Sequence, residues 1–447
     1  MSDVIVWFRR DLRVSDHPAL AAAADEAAAT GGAVVPLFVV DDALWARAGA
    51  NRRAYLARTL AALEPSLDGA LTLRRGRPED VVAEVAAEWG AATVFATGDC
   101  TPYGRRRDAR VGEVLEAAGR HLVRTGSPYA VSPGRVLTGD GRPYQVFTPF
   151  RRAWTAHGWP APIGHPSGVR WAAAAAEVTP ADLEGDAGGP LSDLPPAGED
   201  AALAALETFL AGPVAAYGDD RNRPDLEGTS RLSPHLRFGT IHPRQVLAAT
   251  PAGTSADVFR SEIAWREFYA DVLWHRPDSA WQSLHPVGEH LRWDEGPVAE
   301  ERFAAWVAGR TGYPLVDAGM RQLAATGWMH NRVRMLCASF LVKDLHIDWR
   351  RGARHFLDLL VDGDLASNNH GWQWTAGTGT DAAPFYRVFS PDRQAERFDP
   401  DGAYVARWVP EAGSPEYPAP IVDHGAERNE ALARWQEAKE AAEAAPA

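Results

Sequence analysis

The sequence predicts an α/β N-terminal domain with a Rossmann-like five-stranded parallel sheet, followed by an all-α C-terminal domain. Three observations carry this expectation. Short β-branched runs alternate with alanine-rich helical stretches at the start of the chain. A Pro-, Gly- and Ala-rich tract of weak periodicity follows. Past residue 201 the pattern is helical nearly to the end, with no convincing period-2 run and no internal repeat. These shifts divide the chain into an α/β domain (1–126), an interdomain linker (127–200) and a helical domain (201–447).

Taken in order, strands are expected at 4–8, 34–39, 71–74, 93–96 and 121–124. Helices are expected between them near 18–30, 52–63, 78–89 and 105–118. Neither G-x-G-x-x-G nor a P-loop follows the first strand, so a standard dinucleotide or NTP site is not indicated. A ligand crevice at the carboxyl ends of the strands remains available. In the linker, PAPIGHPSG and DAGGPLSDLPPAGED have the composition of loops. The acidic, alanine-rich stretch 426–447 reads as a solvated helix with a frayed end.

Composition narrows the function classes. No apolar run approaches the roughly 20 residues a membrane helix needs. The start MSDVIVWFRRDLR lacks the pattern of a secretory leader. Two cysteines, Cys100 and Cys337, cannot build a disulfide framework, so a reducing cytoplasm is expected. The net charge of −13 opposes nucleic-acid binding when read as a sum. Its distribution does not, because residues 321–354 carry seven basic side chains against two acidic ones. Lys343 and Lys439 are the sole lysines, so the positive charge is nearly all arginine, the better phosphate fork. Of 17 tryptophans, 11 lie beyond residue 250, more than core packing readily explains.

Several constellations offer chemistry. SEIAWREFY sets Glu262, Trp265, Arg266 and Tyr269 on one helical stripe, able to meet a base, a phosphate or a polar ring. An amphipathic helix with an i,i+4 Glu–Arg pair explains the same spacing. GWMHNRVRM aligns Asn331, Arg334 and Met335, and DGDLASNNHGWQW spaces Asp364, Asn368 and Trp372 by four, with Asp362 nearby. Those groups would read a heterocycle's donors and acceptors, or form a buried structural arginine–aspartate pair. EGTSRLSPH presents Thr229, Ser230 and Ser233 at a turn into a helix, either a diphosphate cradle or simple N-caps. His330, His346, His355 and His370 lack zinc-site spacing, so no metal is expected.

WFRRDLRVSDHPAL, EGTSRLSP, WREFY, TGYPLVDAGMRQLAATGWMHNRVRM, FLVKDLHIDWRRGARHF and DGDLASNNHGWQWTAGTGTDAAPFYRVFSP resemble, in order and spacing, the photolyase/cryptochrome family. The resemblance runs from residue 4 to about 422. It implies an antenna-chromophore domain, a linker, and a helical domain holding FAD, active in its reduced form FADH⁻. Tyr217 and Thr229, Ser230, Arg231, Leu232 and Ser233 would line the diphosphate and ribityl side. Asn331, Arg334, Asp362, Gly363, Asp364 and Asn368 would surround the rings, with Asn368 by the flavin N5. Asn331 and Met335 stand where members repairing (6-4) photoproducts carry histidines, the pattern of class I cyclobutane pyrimidine dimer photolyases.

On the same resemblance, Glu262 would hydrogen-bond the flipped dimer between the walls Trp265 and Trp374. Arg221, Arg266, Tyr269, Arg332 and Gln394 would join them along the DNA. Trp372, Trp349 and Trp293 would be the chain of indoles that photoreduces FAD. For the antenna, Gly104 replaces the glutamate of folate-binding members. The string PYGRRRD resembles those binding 8-hydroxy-5-deazaflavin, with Phe38, Asp41 and Asp99 as contacts, although Thr101 stands where an acid is usual. His370 occupies a frequent glycine position. Light-driven dimer repair in UV-damaged DNA, single- or double-stranded, by a monomer is the leading expectation. A cryptochrome-type blue-light receptor without repair is the alternative.

Overall fold

The computed structural model describes residues 2–188, 194–380 and 386–444. Linker residues 189–193, positions 381–385 of the DGDLASNNHGWQW-containing motif, and residues 1 and 445–447 of the two expected domains lie outside the described residues. The first part of the chain forms β1 (Val4–Phe8), α1 (Pro18–Thr30), β2 (Val34–Asp41), α2 (Asp42–Trp45) and α3 (Ala50–Leu63). It continues with β3 (Thr72–Gly76), α4 (Pro78–Glu88), β4 (Thr93–Ala96), α5 (Pro102–Ala117) and β5 (His121–Arg124).

The strands form one parallel sheet in the order β3-β2-β1-β4-β5, with Val4 opposite Val34 and Phe8 opposite Phe38. Helices cover both faces, so β1 is buried at every position and reads as a continuous apolar run. Val4, Val6 and Phe8 face one core with Leu20 of α1 and Ala54 and Leu60 of α3. Ile5 and Trp7 face the other, with Val82 and Val85 of α4 and Val111 and Leu115 of α5. The strand order reverses between β1 and β4, which opens a crevice beyond their carboxyl ends.

Most boundaries fall where sequence places them. Helix α5 starts at Pro102, earlier than the expected 105, because Thr101 caps it: its Oγ1 accepts from the Gly104 N–H at 3.0 Å. A proline in the first turn suits that start, whereas PYG in isolation reads as a turn. Strand β2 runs on to Asp41, which caps α2.

The linker is more structured than its composition suggests. Helix α6 (Phe147–His157) buries Phe147, Phe150 and Trp154 in the core of the helical half. The chain then returns to the sheet, where Val34 N–H donates to Arg170 O (2.8 Å) and Ala172 N–H to Val34 O (3.0 Å). Helix α7 (Pro180–Asp186) follows, and its Leu183 joins the core under α3.

The helical half comprises α8 (Glu199–Ala211), α9 (Tyr217–Asp220), α10 (Ser233–Phe238), α11 (Pro243–Ala249), α12 (Thr254–His275), α13 (Val287–His290) and α14 (Pro297–Val307). It goes on with α15 (Pro314–Thr326), α16 (Asn331–Lys343), α17 (Trp349–Leu359), α18 (Leu365–Ala376), α19 (Pro391–Phe398), α20 (Ala403–Trp408) and α21 (His424–Ala444). One core gathers Trp306, Phe340, Trp349, Phe356 and Trp372. Among the described residues no helix is long and apolar enough to cross a membrane.

Buried polar contacts join the halves. Arg244 of α11 forks onto Asp16 (2.6 and 3.1 Å), Arg13 donates to Gly239 O (3.0 Å), and Arg10 pairs with Asp364 (2.6 Å).

Candidate active site and inter-domain cavity

Helix α12 carries the first group. The i,i+4 Glu262–Arg266 pair, the alternative explanation of the spacing, is not formed among the described residues. Glu262 Oε1 instead meets Arg221 Nη1 at 2.6 Å, just beyond α9. Burial raises the Glu262 pKa above the usual carboxylate range, and the Arg221 guanidinium opposes that rise. Arg266, expected along the DNA, donates to Pro128 O (3.1 Å) and Leu236 O (3.0 Å) and lies over the Tyr129 ring (4.4 Å). Those contacts tie the linker to α10, so the structure gives Arg266 a structural task. Trp265 stacks on Phe147 (3.7 Å between centroids, 9° between planes), and Tyr269 stacks on His370 (5.6 Å, 18°).

On the face of α12 away from Glu262, Glu267 accepts from Ala130 N–H (2.5 Å), Val131 N–H (3.0 Å) and Trp154 Nε1–H (2.6 Å). Burial still pushes its carboxyl up to about 7, against those three donors.

Helix α16 supplies the second group. Asn331, at its first position, is exposed, and its Nδ2 lies 3.8 Å from Met335 Sδ one turn on. Arg332 donates to Asn222 Oδ1 (2.6 Å), the neighbour of Arg221, so α12 and α16 are linked through residues 221–222. Arg334 forks onto Asp362 (2.8 and 3.2 Å) and donates to Met329 O (2.7 Å). His330 caps the helix, and burial with the charges of Arg231, Arg334, Arg332 and Arg221 pushes it down to about 3.

Asp364 caps α18 by accepting from Ser367 N–H (3.1 Å). Burial alone would raise its pKa, but Arg10, Arg237 and Arg266 outweigh it and hold the carboxyl well below the usual range. One turn on, Asn368 donates from Nδ2 to Ala353 O (3.0 Å) and Asn369 Oδ1 (2.9 Å), leaving Oδ1 without a partner among the described residues. Trp372 is buried against Phe356 (5.0 Å) and Trp306 (6.2 Å). A Cβ on Gly352 would fall 2.2 Å from the Trp372 ring, so α17 meets α18 at a glycine. Trp349 is fully buried in the same core, its Nε1 without a partner among the described residues. Trp293 lies half-buried at that core's edge, beside Trp435 and Ala438 of α21. Trp374 is half-buried one turn beyond His370.

At the EGTSRLSPH turn the hydroxyls do not cap α10, whose cap position Leu232 makes no side-chain capping bond. Ser230 Oγ accepts from Leu232 N–H (3.4 Å), and Ser233 Oγ from Trp328 Nε1–H (3.4 Å). Arg231 adopts φ 53, pairs with Glu227 (2.8 Å), and lies over Trp328 (3.7 Å). Tyr217 is buried between Phe209 (5.6 Å) and Phe259 (5.4 Å). Gln394 of α19 is half-buried, its Oε1 without a partner among the described residues.

A cavity of about 640 Å³ lies beyond the carboxyl ends of β1, β2 and β4, closed on its far side by Arg237, Trp281, Gly363 and Asp364. Phe38, Asp41 and Asp99, expected as antenna contacts, are among the residues that line it. Asp41 accepts from the Tyr103 hydroxyl (2.6 Å), and Asp99 accepts from Thr101 N–H (2.9 Å) and Arg107 (3.1 Å). A Cβ on Gly104 would fall 2.0 Å from Asp99 Cγ.

Trp328, Asn222, Arg10 and Arg237 are contacts to which sequence reasoning assigned no role. Trp328 and Arg10 lie inside GWMHNRVRM and WFRRDLR, where proximity to chosen residues was the available signal. Asn222 and Arg237 have no local signature.

Residues 4–167 match the family described as DNA photolyase, and residues 259–416 match the FAD binding domain of DNA photolyase. A deoxyribodipyrimidine photo-lyase from Streptomyces griseus is 42% identical, across 98% of this chain and 99% of the relative. The crystal structure of a bacterial class III photolyase from Agrobacterium tumefaciens superposes with a TM-score of 0.89 at 37% identity, covering 98% of each chain. That of an archaeal photolyase from Sulfolobus tokodaii with two FAD molecules gives 0.85 at 29%, covering 97% of this chain and 99% of that one. Family match, full-length relatives and fold agree, and the chain belongs to the DNA photolyase family.

Proposed function

We propose that the chain is a light-driven deoxyribodipyrimidine photo-lyase of the class I type, repairing cyclobutane pyrimidine dimers in DNA. It acts as a cytoplasmic monomer, nucleoid-associated when bound to single- or double-stranded substrate. Residues 1–126 serve as the antenna domain, 127–200 as the linker and 201–447 as the FAD- and DNA-binding domain. The observation that carries the reading is the Glu262–Arg221 ion pair (2.6 Å), with Trp265 three residues on from Glu262 along α12. A carboxylate fixed by one guanidinium, next to an apolar indole wall, suits the polar edge of an extruded dimer. Trp374 supplies the opposite wall. Arg221 and Arg332 meet the flanking phosphates, and Gln394 and Tyr269 border the mouth.

FAD is the cofactor of the matched domain, and in reduced form it supplies the electron that opens the dimer under blue light. The residues fit that group. Among the described residues Asn368 Oδ1 has no partner, Asn331 is exposed, and the hydroxyls of residues 229–233 do not cap α10. Arg334 and Asp362 neutralise each other beside it, and Asp364 is held ionised by Arg10. Trp372, Trp349 and Trp293 provide an indole path from that site to the surface. Trp293→Phe should suppress photoreduction while leaving repair by pre-reduced enzyme largely intact. Loss of both together removes Trp293 from the path.

The cavity at the sheet's carboxyl edge takes the antenna. An 8-hydroxy-5-deazaflavin is favoured over a folate, because position 104 has no room for a glutamate beside Asp99. The Sulfolobus tokodaii photolyase, described as holding two FAD molecules with a novel light-harvesting cofactor, is a precedent for a second flavin-type ring. The decisive experiment is repair of a dimer-containing oligonucleotide under blue light against a dark control. No repair with reduced flavin bound would turn the reading to the cryptochrome-type receptor.

A further inference from the structure

Trp265 is held more firmly than a half-buried indole on a helix surface needs. Phe147, the first residue of α6, lies face to face with it, at 3.7 Å between centroids and 9° between planes. Phe268 meets the indole edge-on (5.7 Å, 71°), and Tyr269 meets it at a tilt (5.4 Å, 41°). A ligand ring can therefore stack on Trp265 only from the face opposite Phe147. Phe147 itself is 8% exposed, so it acts on anything outside through the indole it supports.

Other contacts fix both ends of this arrangement. Two turns along α6, Trp154 Nε1–H donates to Glu267 Oε2 at 2.6 Å, and Glu267 also accepts from the Ala130 and Val131 N–H groups. Helix α6 is thus pinned to α12 at Trp154, which keeps the Phe147 ring on Trp265. Beyond Tyr269, the His370 ring of α18 lies nearly parallel to the phenol (5.6 Å, 18°). Its nitrogens are both engaged, Nδ1 at 2.8 Å from Ala366 O and Nε2 at 2.8 Å from Ser279 Oγ. The Ala366 carbonyl can only accept, so Nδ1 carries a proton, and a ring bonded on both sides cannot turn. A glycine at position 370 would leave Tyr269 without that neighbour. His370, Tyr269, Trp265 and Phe147 form one file of rings across α12, from α18 to the linker.

We infer that Phe147 and His370 are positioning residues for dimer recognition: they bracket the Trp265–Tyr269 pair and set the indole wall before DNA arrives. The inference rests on the proposal that Trp265 is a wall of the dimer site, and deepens it. An indole free to change rotamer loses that freedom when a ligand stacks on it, whereas a bracketed one has already lost it on folding. The gain belongs to the extruded dimer alone, because the DNA backbone does not meet the file of rings. The linker therefore builds part of the recognition site as well as joining the two halves.

The test uses the FAD-loaded enzyme in the dark, with fluorescence anisotropy on a labelled oligonucleotide carrying one thymine cyclobutane dimer and on its undamaged counterpart. Phe147→Leu should lower dimer affinity about five- to tenfold, the scale of one aromatic stack, and change undamaged affinity by no more than about twofold. Phe147→Tyr, which keeps the ring, should stay within about twofold of wild type on both. In a Trp265→Leu background, Phe147→Leu should cost no more than about a further twofold, since its effect runs through the indole. His370→Leu should lower dimer affinity about threefold, with the same selectivity. Under blue light at saturating dimer, both leucine variants should repair at close to the wild-type rate, so that KM moves and kcat does not. The bound-FAD spectrum and the thermal midpoint report folding, and Phe147→Met takes the place of Phe147→Leu if that variant does not fold. Equal losses on the two oligonucleotides, no loss with either leucine variant, or a Phe147→Leu effect that persists undiminished without the Trp265 indole overturns the positioning role. Failure of the wild-type protein to prefer the dimer overturns instead the reading of Trp265 as a wall of the dimer site.

Discussion

Glu262 and Arg221 are the pair whose chemistry is easiest to perturb one atom at a time. Burial raises the Glu262 pKa, and Arg221 is the charge that restrains it. Arg221→Ala removes the restraint, so the acid limb of dimer binding, which reports ionised Glu262, should move to higher pH. The same variant should lower the salt dependence of DNA binding by about one phosphate contact. Glu262→Gln should abolish the limb and weaken dimer-specific binding roughly tenfold, the scale of one charged hydrogen bond. Binding titrations across pH and salt measure all three effects. Helical periodicity made Glu262, Trp265, Arg266 and Tyr269 visible in the sequence because they share a stripe. It could not assign their partners, since Arg221, the Pro128 carbonyl and His370 come from distant segments. Arg266 is the instructive case, a cation on the right face whose donors are spent on backbone carbonyls.

At the level of elements, α5 and α18 each turn on a residue that departs from the family pattern. Thr101 gives α5 a cap, and Gly104 gives Asp99 the space to fork between Thr101 and Arg107. Gly104→Ala should destabilise the protein by about 1–3 kcal/mol, the cost of overpacking a fixed neighbour. It should also reduce antenna loading, while repair under direct excitation of the flavin persists; thermal melts and chromophore extraction read the two effects. His370 bridges α18 to the 277–280 segment, with Nε2 2.8 Å from Ser279 Oγ and Nδ1 2.8 Å from Ala366 O. Its replacement by alanine should cost about 2–4 kcal/mol in urea unfolding, through a lost buried ring and its hydrogen bonds to Ser279 and Ala366. The strands were legible because a sheet buried on both faces is written in β-branched runs. The linker's helices were not, because Phe147, Phe150 and Trp154 become a buried face once α12 is beside them.

Across the whole molecule, buried histidines set the response to acid. Burial pushes His235, His242, His355 and His370 down to about 4. Their unfolded value is about 6.5, so the unfolded chain binds more protons between those limits, and stability falls as pH drops from about 6.5 to about 4. Glu267, raised to about 7, and Asp344, raised to about 6, act in the opposite sense, losing stability as pH rises through that range. Histidines outnumber carboxylates, so urea midpoints should be lower at pH 5 than at pH 7, by about 1–2 kcal/mol per histidine before the carboxylates offset part of it. His370→Gln should reduce that slope. The net charge of −13 was a weak guide to any of this, because arginines gather around the cavity inside an acidic chain.

The route of residues 127–200 has a mechanical consequence. From β5 the chain crosses to the helical half at α6, returns to the sheet at Arg170–Ala172 and α7, then crosses again to α8. The two halves are therefore interlaced. A single protease cut near residues 160–168 leaves each fragment with segments anchored in both halves, so the nicked protein should co-elute as one particle. A fragment ending at residue 126 would strip the sheet of its Trp171 and Leu183 cover. The architecture splits cleanly on paper into two modules, but the thread between them is woven through both.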